Sequence, residues 1–240
     1  MSLLELVGVH KRYADGSGER SVLREVSLRV EQGELVVVWG LRRSGRSTLL
    51  RVAAGIEAPD SGVVRFDGHD LAGHGERLLG AGIGYCQRTL RFADGQTALD
   101  HAMVGLLSRW VSPASARSRA LQALERAGVA TCAGMTQREL SSAEAVRVAL
   151  ARTLTLEPRL ILIDEPVKGV ELIERDPILS LLRSLADEGV AVLTSTGEST
   201  GLSEADRGLM LGDGELRGAP AADPVTVLPL RRGGERRAHG

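Results

Sequence analysis

The chain has 240 residues, 30 basic against 31 acidic for a formal charge of −1, and 43% apolar against 25% charged side chains. This is ordinary globular usage, which excludes collagen-like, coiled-coil and wholly disordered chains, and it lacks the basic footprint of a general nucleic-acid binder. Cys86 and Cys132 make neither a disulfide framework nor a paired metal spacing. Met1 to Glu5 carries no basic segment followed by an apolar one, and no run reaches the ~18 apolar residues of a membrane span. A cytoplasmic chain is therefore expected, with a membrane partner left open.

Strands are expected over Leu3 to His10, Val22 to Val30 and Glu34 to Trp39, each rich in Val and Leu and bounded by Gly, Asp or Glu-Gln-Gly breaks. A helix should begin near Ser47 and run through Leu49, Leu50, Val52 and Ala53. Gly62 to Phe66 and Ala81 to Tyr85 read as two further strands around an Asp67-Gly68 turn. From about residue 88 to 140 the period becomes helical, at Ala98, Met103, Leu106 and Leu107 and then Leu121, Leu124 and Val129, which predicts an inserted helical lobe. Ser141-x-x-Glu144 has the spacing of a capping box and opens a helix to Leu156. Leu160 to Ile163 and Val190 to Leu193 read as parallel strands covered on both faces. Asp176-Pro177 supplies an N-cap and an N1 proline for a helix from Pro177 to Glu188. Residues 218–240 mix Ala, Pro, Gly and Arg and are expected to form a flexible tail after a domain over 1–217.

Gly40-Leu41-Arg42-Arg43-Ser44-Gly45-Arg46-Ser47-Thr48 follows a predicted strand and opens a predicted helix, the context that a phosphate-binding loop requires. Backbone N–H groups there point at an anion, and glycine lets the backbone approach it. The lysine of such loops is Arg46, whose planar guanidinium is not equivalent to a compact ammonium.

Order and spacing along Leu3 to Arg217 resemble the nucleotide-binding subunit of ABC transporters, nearest the exporter and lipoprotein-release branch. Tyr13 matches the aromatic that stacks on adenine, and Gln87, after Ile83-Gly84-Tyr85-Cys86, the Q-loop glutamine. Leu140-Ser141-Ser142-Ala143-Glu144 resembles the LSGGQ signature, Leu160 to Pro166 the Walker B strand with its glutamate, and Ala205 to Glu215 the closing hairpin. Taken singly, each has an ordinary reading: a surface tyrosine, a polar strand end, a strand terminus, a helix cap. Their joint order carries the resemblance.

The resemblance implies an α/β fold with a P-loop NTPase (RecA-like) core, an antiparallel β subdomain and an inserted α-helical lobe. It implies ATP and Mg²⁺ as ligands, bound between two cassettes that close head to tail on a membrane permease, with no nucleic-acid partner. The chain would then lie at the inner face of the membrane. By the same resemblance Tyr13, Gly40, Arg43, Ser44, Gly45, Arg46, Ser47, Thr48 and Gln87 hold nucleotide in one cassette and Ser141 meets it from the other. Ser47, Gln87 and Asp164 hold the metal, Glu165 polarises the attacking water, and the permease docks around Leu90 to Phe92.

Departures cluster at the chemistry. Arg43 stands where the family has Gly or Asn, Arg46 where it has Lys, Ser142 and Ala143 where it has two glycines, Glu171 where it has the D-loop aspartate, and Gly197 where it has the switch histidine. Side chains at Ser142 and Ala143 are expected to crowd the partner's phosphate, and nothing in the sequence replaces the histidine. Impaired hydrolysis is the expectation, with a non-hydrolysing regulatory module acting through a partner cassette as the alternative.

Overall fold

The computed structural model describes residues 2–16, 18–71, 82–87, 91–197 and 202–218. Expectations for Ala81, for the start of the lobe at 88–90 including Leu90, and for the tail at 219–240 lie outside the described residues.

Two sheets carry the described residues. In the first, β2 (Gly18–Val30), β1 (Leu4–Asp15), β4 (Ser61–Phe66) and β5 (His69–Asp70) lie antiparallel in that order. β1 and β2 run longer than the apolar runs suggest because their tips pair as a hairpin, with Tyr13 opposite Arg20. In the second, the order is β10 (Glu215–Gly218), β9 (Arg207–Gly212), β3 (Leu35–Trp39), β8 (Ala191–Thr196), β7 (Leu160–Asp164) and β6 (Ile83–Cys86). β9, β3, β8, β7 and β6 are mutually parallel, and β10 returns antiparallel on β9.

β7 is buried at every position, as its unbroken apolar run requires of a central parallel strand. Alternate side chains go to opposite faces: Val36, Val38, Leu160, Leu162 and Leu193 join the core shared with the antiparallel sheet. Leu35, Ile161, Ile163 and Val192 join a second core with the helices.

That second core is built by α2 (Ala98–Leu107), α3 (Pro113–Arg126) and α4 (Ser142–Leu154). Thr97 and Asp100 close a capping box on α2, and Ser112 caps α3 with Pro113 in its first turn. Leu99, Leu124, Val148, Leu150 and Ile163 lie in one cluster, so α4 ties the lobe to the sheet. A fourth long helix, α5 (Leu172–Asp187), contains Pro177 in its interior. The helix therefore begins five residues before the Asp176-Pro177 start expected from sequence. Extended backbone at Glu171 initiates it, and Pro177, in the second turn, lacks the N–H that would bond to the Ile173 carbonyl and sets its ring against that carbonyl.

The register places Trp39, Asp164 and Thr196 at one edge, since Trp39 pairs with Thr196 and Asp164 with Ser195. The carboxyl ends of adjacent parallel strands are where open α/β sheets present ligands.

Candidate functional site

The loop from Gly40 to Thr48 leaves β3 and enters α1 (Arg46–Ala53). Gly40 donates its N–H to the Thr196 carbonyl at 3.3 Å, and a Cβ on it would sit 2.4 Å from the Leu211 carbonyl oxygen. Gly45 has φ +104° and a Cβ there would meet the Val22 carbonyl at 2.8 Å, so only glycine fits either position. Arg43 adopts φ +65°, the left-handed conformation that the family's Gly or Asn accommodates and a long side chain pays for. Ser44 donates its N–H to the Leu41 carbonyl at 3.1 Å, folding the loop back, and Arg20 donates to the Arg43 carbonyl at 3.3 Å. No side chain caps α1, so its first-turn N–H groups remain for an anion.

Ser47 Oγ donates to Asp164 Oδ2 at 2.7 Å, and Ser195 Oγ donates to Asp164 Oδ1 at 2.5 Å while accepting the Glu165 N–H at 3.1 Å. Among the described residues no group of three or more His, Cys, Asp or Glu could hold a metal. A hydroxyl and a carboxylate in contact are instead the hard oxygen donors that suit Mg²⁺ completed by phosphates and water, so Ser47 and Asp164 fit it. Gln87 is exposed just past β6 and lines a cleft of about 250 Å³ with Asp164, Glu165, Gln137 and Ser142. Of the three sequence-predicted metal residues, Ser47 and Asp164 are in direct contact, and Gln87 shares a cleft with Asp164.

Glu165 is buried at φ +49°. Its Oε1 accepts from Arg46 Nη2 at 2.8 Å in a pair whose side chains are each 7% exposed. Lys168 Nζ lies 2.8 Å from its Oε2. The carboxylate expected to hold water is thus held by two cations. Lys168 was not singled out from sequence; the signal available was its being one of only two lysines in the chain, three residues after Glu165.

Tyr13 donates to Glu57 Oε1 at 2.6 Å, with Thr48 Oγ1 at 3.3 Å and Arg51 Nη2 donating at 3.4 Å. Burial works against the Glu57 carboxylate, but the bonds from Tyr13 and Arg51 outweigh it and hold its pKa below the ordinary value. Glu57 and Arg51 were not expected from sequence, because they reach Tyr13 only through the fold.

At the signature segment Ser141 caps α4: its Oγ accepts the Glu144 N–H at 3.2 Å and Glu144 Oε2 accepts the Ser141 N–H at 2.8 Å. Ser142 is exposed, but the Ala143 methyl is buried against Val167, Val170 and Ile178. The expected crowding by Ala143 is overturned, since its side chain fills the interior of its own cassette. Beyond Gln87, Phe92 stacks on His101 at 4.4 Å and donates its N–H to Gln137 Oε1 at 2.9 Å. Burial pushes the His101 pKa down to about 4, and the nearby Arg152 guanidinium adds to this.

A family model described as ABC transporter matches residues 23–168. The chain is 33% identical over 231 residues to the Macrolide export ATP-binding/permease protein MacB 1/2 of Paracoccus denitrificans (strain Pd 1222), covering 92% of this chain and 35% of that protein. It thus spans about a third of that relative's length. It is 30% identical over 218 residues to the uncharacterized ABC transporter ATP-binding protein YvrO of Bacillus subtilis (strain 168), covering 89% and 95%. Among solved structures it matches the dimeric structure of MJ0796, a bacterial ABC transporter cassette, with TM-score 0.81 and 28% identity over 89% of this chain and 96% of that one. The post-hydrolysis dimer of the same cassette bound to ADP and Pi gives TM-score 0.81 and 26% identity, covering 91% and 99%. No helix among the described residues is long and apolar enough to cross a membrane. With the family model over residues 23–168 and relatives matched along most of its length, the chain belongs to the ABC transporter family of ATP-binding cassettes.

Proposed function

We propose that this cassette binds Mg-ATP at an interface with a second cassette and thereby drives or gates a membrane permease from the cytoplasmic face, with hydrolysis at its own site slow or absent. The Ser47–Asp164 contact beneath an uncapped helix N-terminus supports binding. When bound, Mg²⁺ neutralises charge on the terminal phosphates, and Ser47, Asp164 and Gln87 are the residues to hold it. Loop N–H groups and Arg46 orient the phosphates, and the Tyr13 ring offers adenine a stacking face.

The observation that carries impaired turnover is the pairing of Glu165 with Arg46 and Lys168. A carboxylate whose oxygens are engaged by two cations is not positioned on a water, and ordering water there requires breaking a buried pair. Losing one transition-state contact commonly slows an enzyme by about 10² to 10³. A cassette paired with an intact partner would leave the partner's own phosphate loop to do most of the hydrolysis, against this chain's Ser141-Ser142 signature.

The test is to isolate the complex with the permease and cassette encoded beside this chain and compare turnover. Glu165→Gln is expected to leave turnover near wild type, and the matching change in the partner cassette to abolish it. The reverse pattern would place the working site on this chain and overturn the reading.

A further inference from the structure

Two departures from the family pattern, Arg46 and Gly197, meet in space although 151 positions separate them in sequence. A Cβ built on Gly197 would lie 3.3 Å from Arg46 Nη1, 3.5 Å from Nη2 and 3.4 Å from Glu165 Oε1. The first atom of any side chain there would thus already touch the ion pair, and an imidazole would have to occupy the volume that the guanidinium fills. Arg46 is 7% exposed and its Nη1 is buried without a hydrogen-bond partner among the described residues. A buried guanidinium N–H left unpaired is costly, so its retention calls for a ligand. Nη1 is the donor nearest the place of a side chain at 197, and Arg46 and Gly197 line one cleft of about 230 Å³ with Arg42 and Lys168.

We infer that Arg46 and Gly197 are one compensated pair. The guanidinium stands in the volume that a side chain at 197 would take, binds Glu165 through Nη2, and presents Nη1 as the donor to the terminal phosphate. Glycine at 197 is the condition for arginine at 46, so the two are a matched exchange rather than separate losses. A lysine at 46 lacks the second nitrogen of the fork and would leave that volume empty.

A cycle over wild type, Arg46→Lys, Gly197→His and the double variant tests this twice. Thermal unfolding without nucleotide addresses the pairing alone. Gly197→His is expected to lower Tm by about 3 °C or more beside Arg46, and by much less in the Arg46→Lys background. Equal losses in the two backgrounds would overturn the pair. Calorimetry with Mg-ATP addresses the donor, and this arm alone rests on the nucleotide-binding reading. Each single variant is expected to bind about tenfold more weakly than wild type, with the double variant recovering most of the loss; losses that multiply in the double variant would remove the donor role. Absence of ATP binding in folded wild type, with Tm coupling present, would sink the nucleotide reading and spare the pair.

Discussion

Tyr13 donates its phenol to Glu57 Oε1 at 2.6 Å, which pins the hairpin tip of β1 and β2 to the segment after α1. A ring held this way offers a fixed face to a base, and base–aromatic stacking is worth about 1–3 kcal/mol. Tyr13→Ala should weaken Mg-ATP binding by roughly ten- to a hundredfold in calorimetry. Tyr13→Phe, which keeps the face and loses the anchor, should fall between. No difference between Tyr13→Ala and wild type would show that the ring is structural only.

Relief of strain gives a second prediction. Arg43 holds φ +65°, and a non-glycine residue in that conformation costs about 1–2 kcal/mol. Part of this returns as glycine's greater unfolded-state entropy, so Arg43→Gly should stabilise the folded chain by about 0.5–1 kcal/mol in urea unfolding. A destabilised variant would mean that the Arg43 side chain supplies more than the backbone loses.

The two signature substitutions should separate. Ala143 is buried in its own cassette, and Ala143→Gly removes a packed methyl while adding helix entropy, together about 1–2 kcal/mol of lost stability. Ser142 is exposed, so Ser142→Gly should leave Tm nearly unchanged and carry whatever gain in turnover the assembled complex shows. Greater turnover from Ala143→Gly than from Ser142→Gly would contradict the buried position of the methyl.

His101 sets a pH dependence. Its pKa is about 4 in the folded chain against about 6.5 in an unfolded one. Between those values the unfolded chain binds the extra proton, so stability falls as pH drops from about 6.5 toward 4. The loss amounts to roughly 2–3 kcal/mol. Replacing the imidazole by His101→Phe, which can still stack on Phe92, should flatten this part of the profile measured by urea unfolding at stepped pH. An unchanged slope would assign it to carboxylates.

Much of this was legible in sequence wherever a pattern is local. The loop between β3 and α1, the Ser141–Glu144 box and the apolar β7 each combine a short motif with the period of the element that carries it. Pro177 misled because Asp-Pro is a genuine helix-start signal, and only the extended backbone at Glu171 shows that a turn precedes it. Ala143 misled because a position within a motif does not say which way a methyl points. The grip of Arg46 on Glu165, the service of Glu57 to Tyr13 and the fit of Arg46 against Gly197 all join residues through the fold, and no spacing along one chain encodes them.

The helical lobe and the sheet share one hydrophobic cluster through α4, with Leu99 and Leu124 in the same interior as Leu150 and Ile163. The lobe is accordingly not a detachable adaptor. Residues 91–140 cut free would expose the face that packs α2 and α3 onto the signature helix, and a graft from another cassette would have to match the side chains of Leu150, Leu154 and Ile163 before it matched any permease. Exchange of the lobe in such a chain is therefore paced by interior packing as much as by the outer surface.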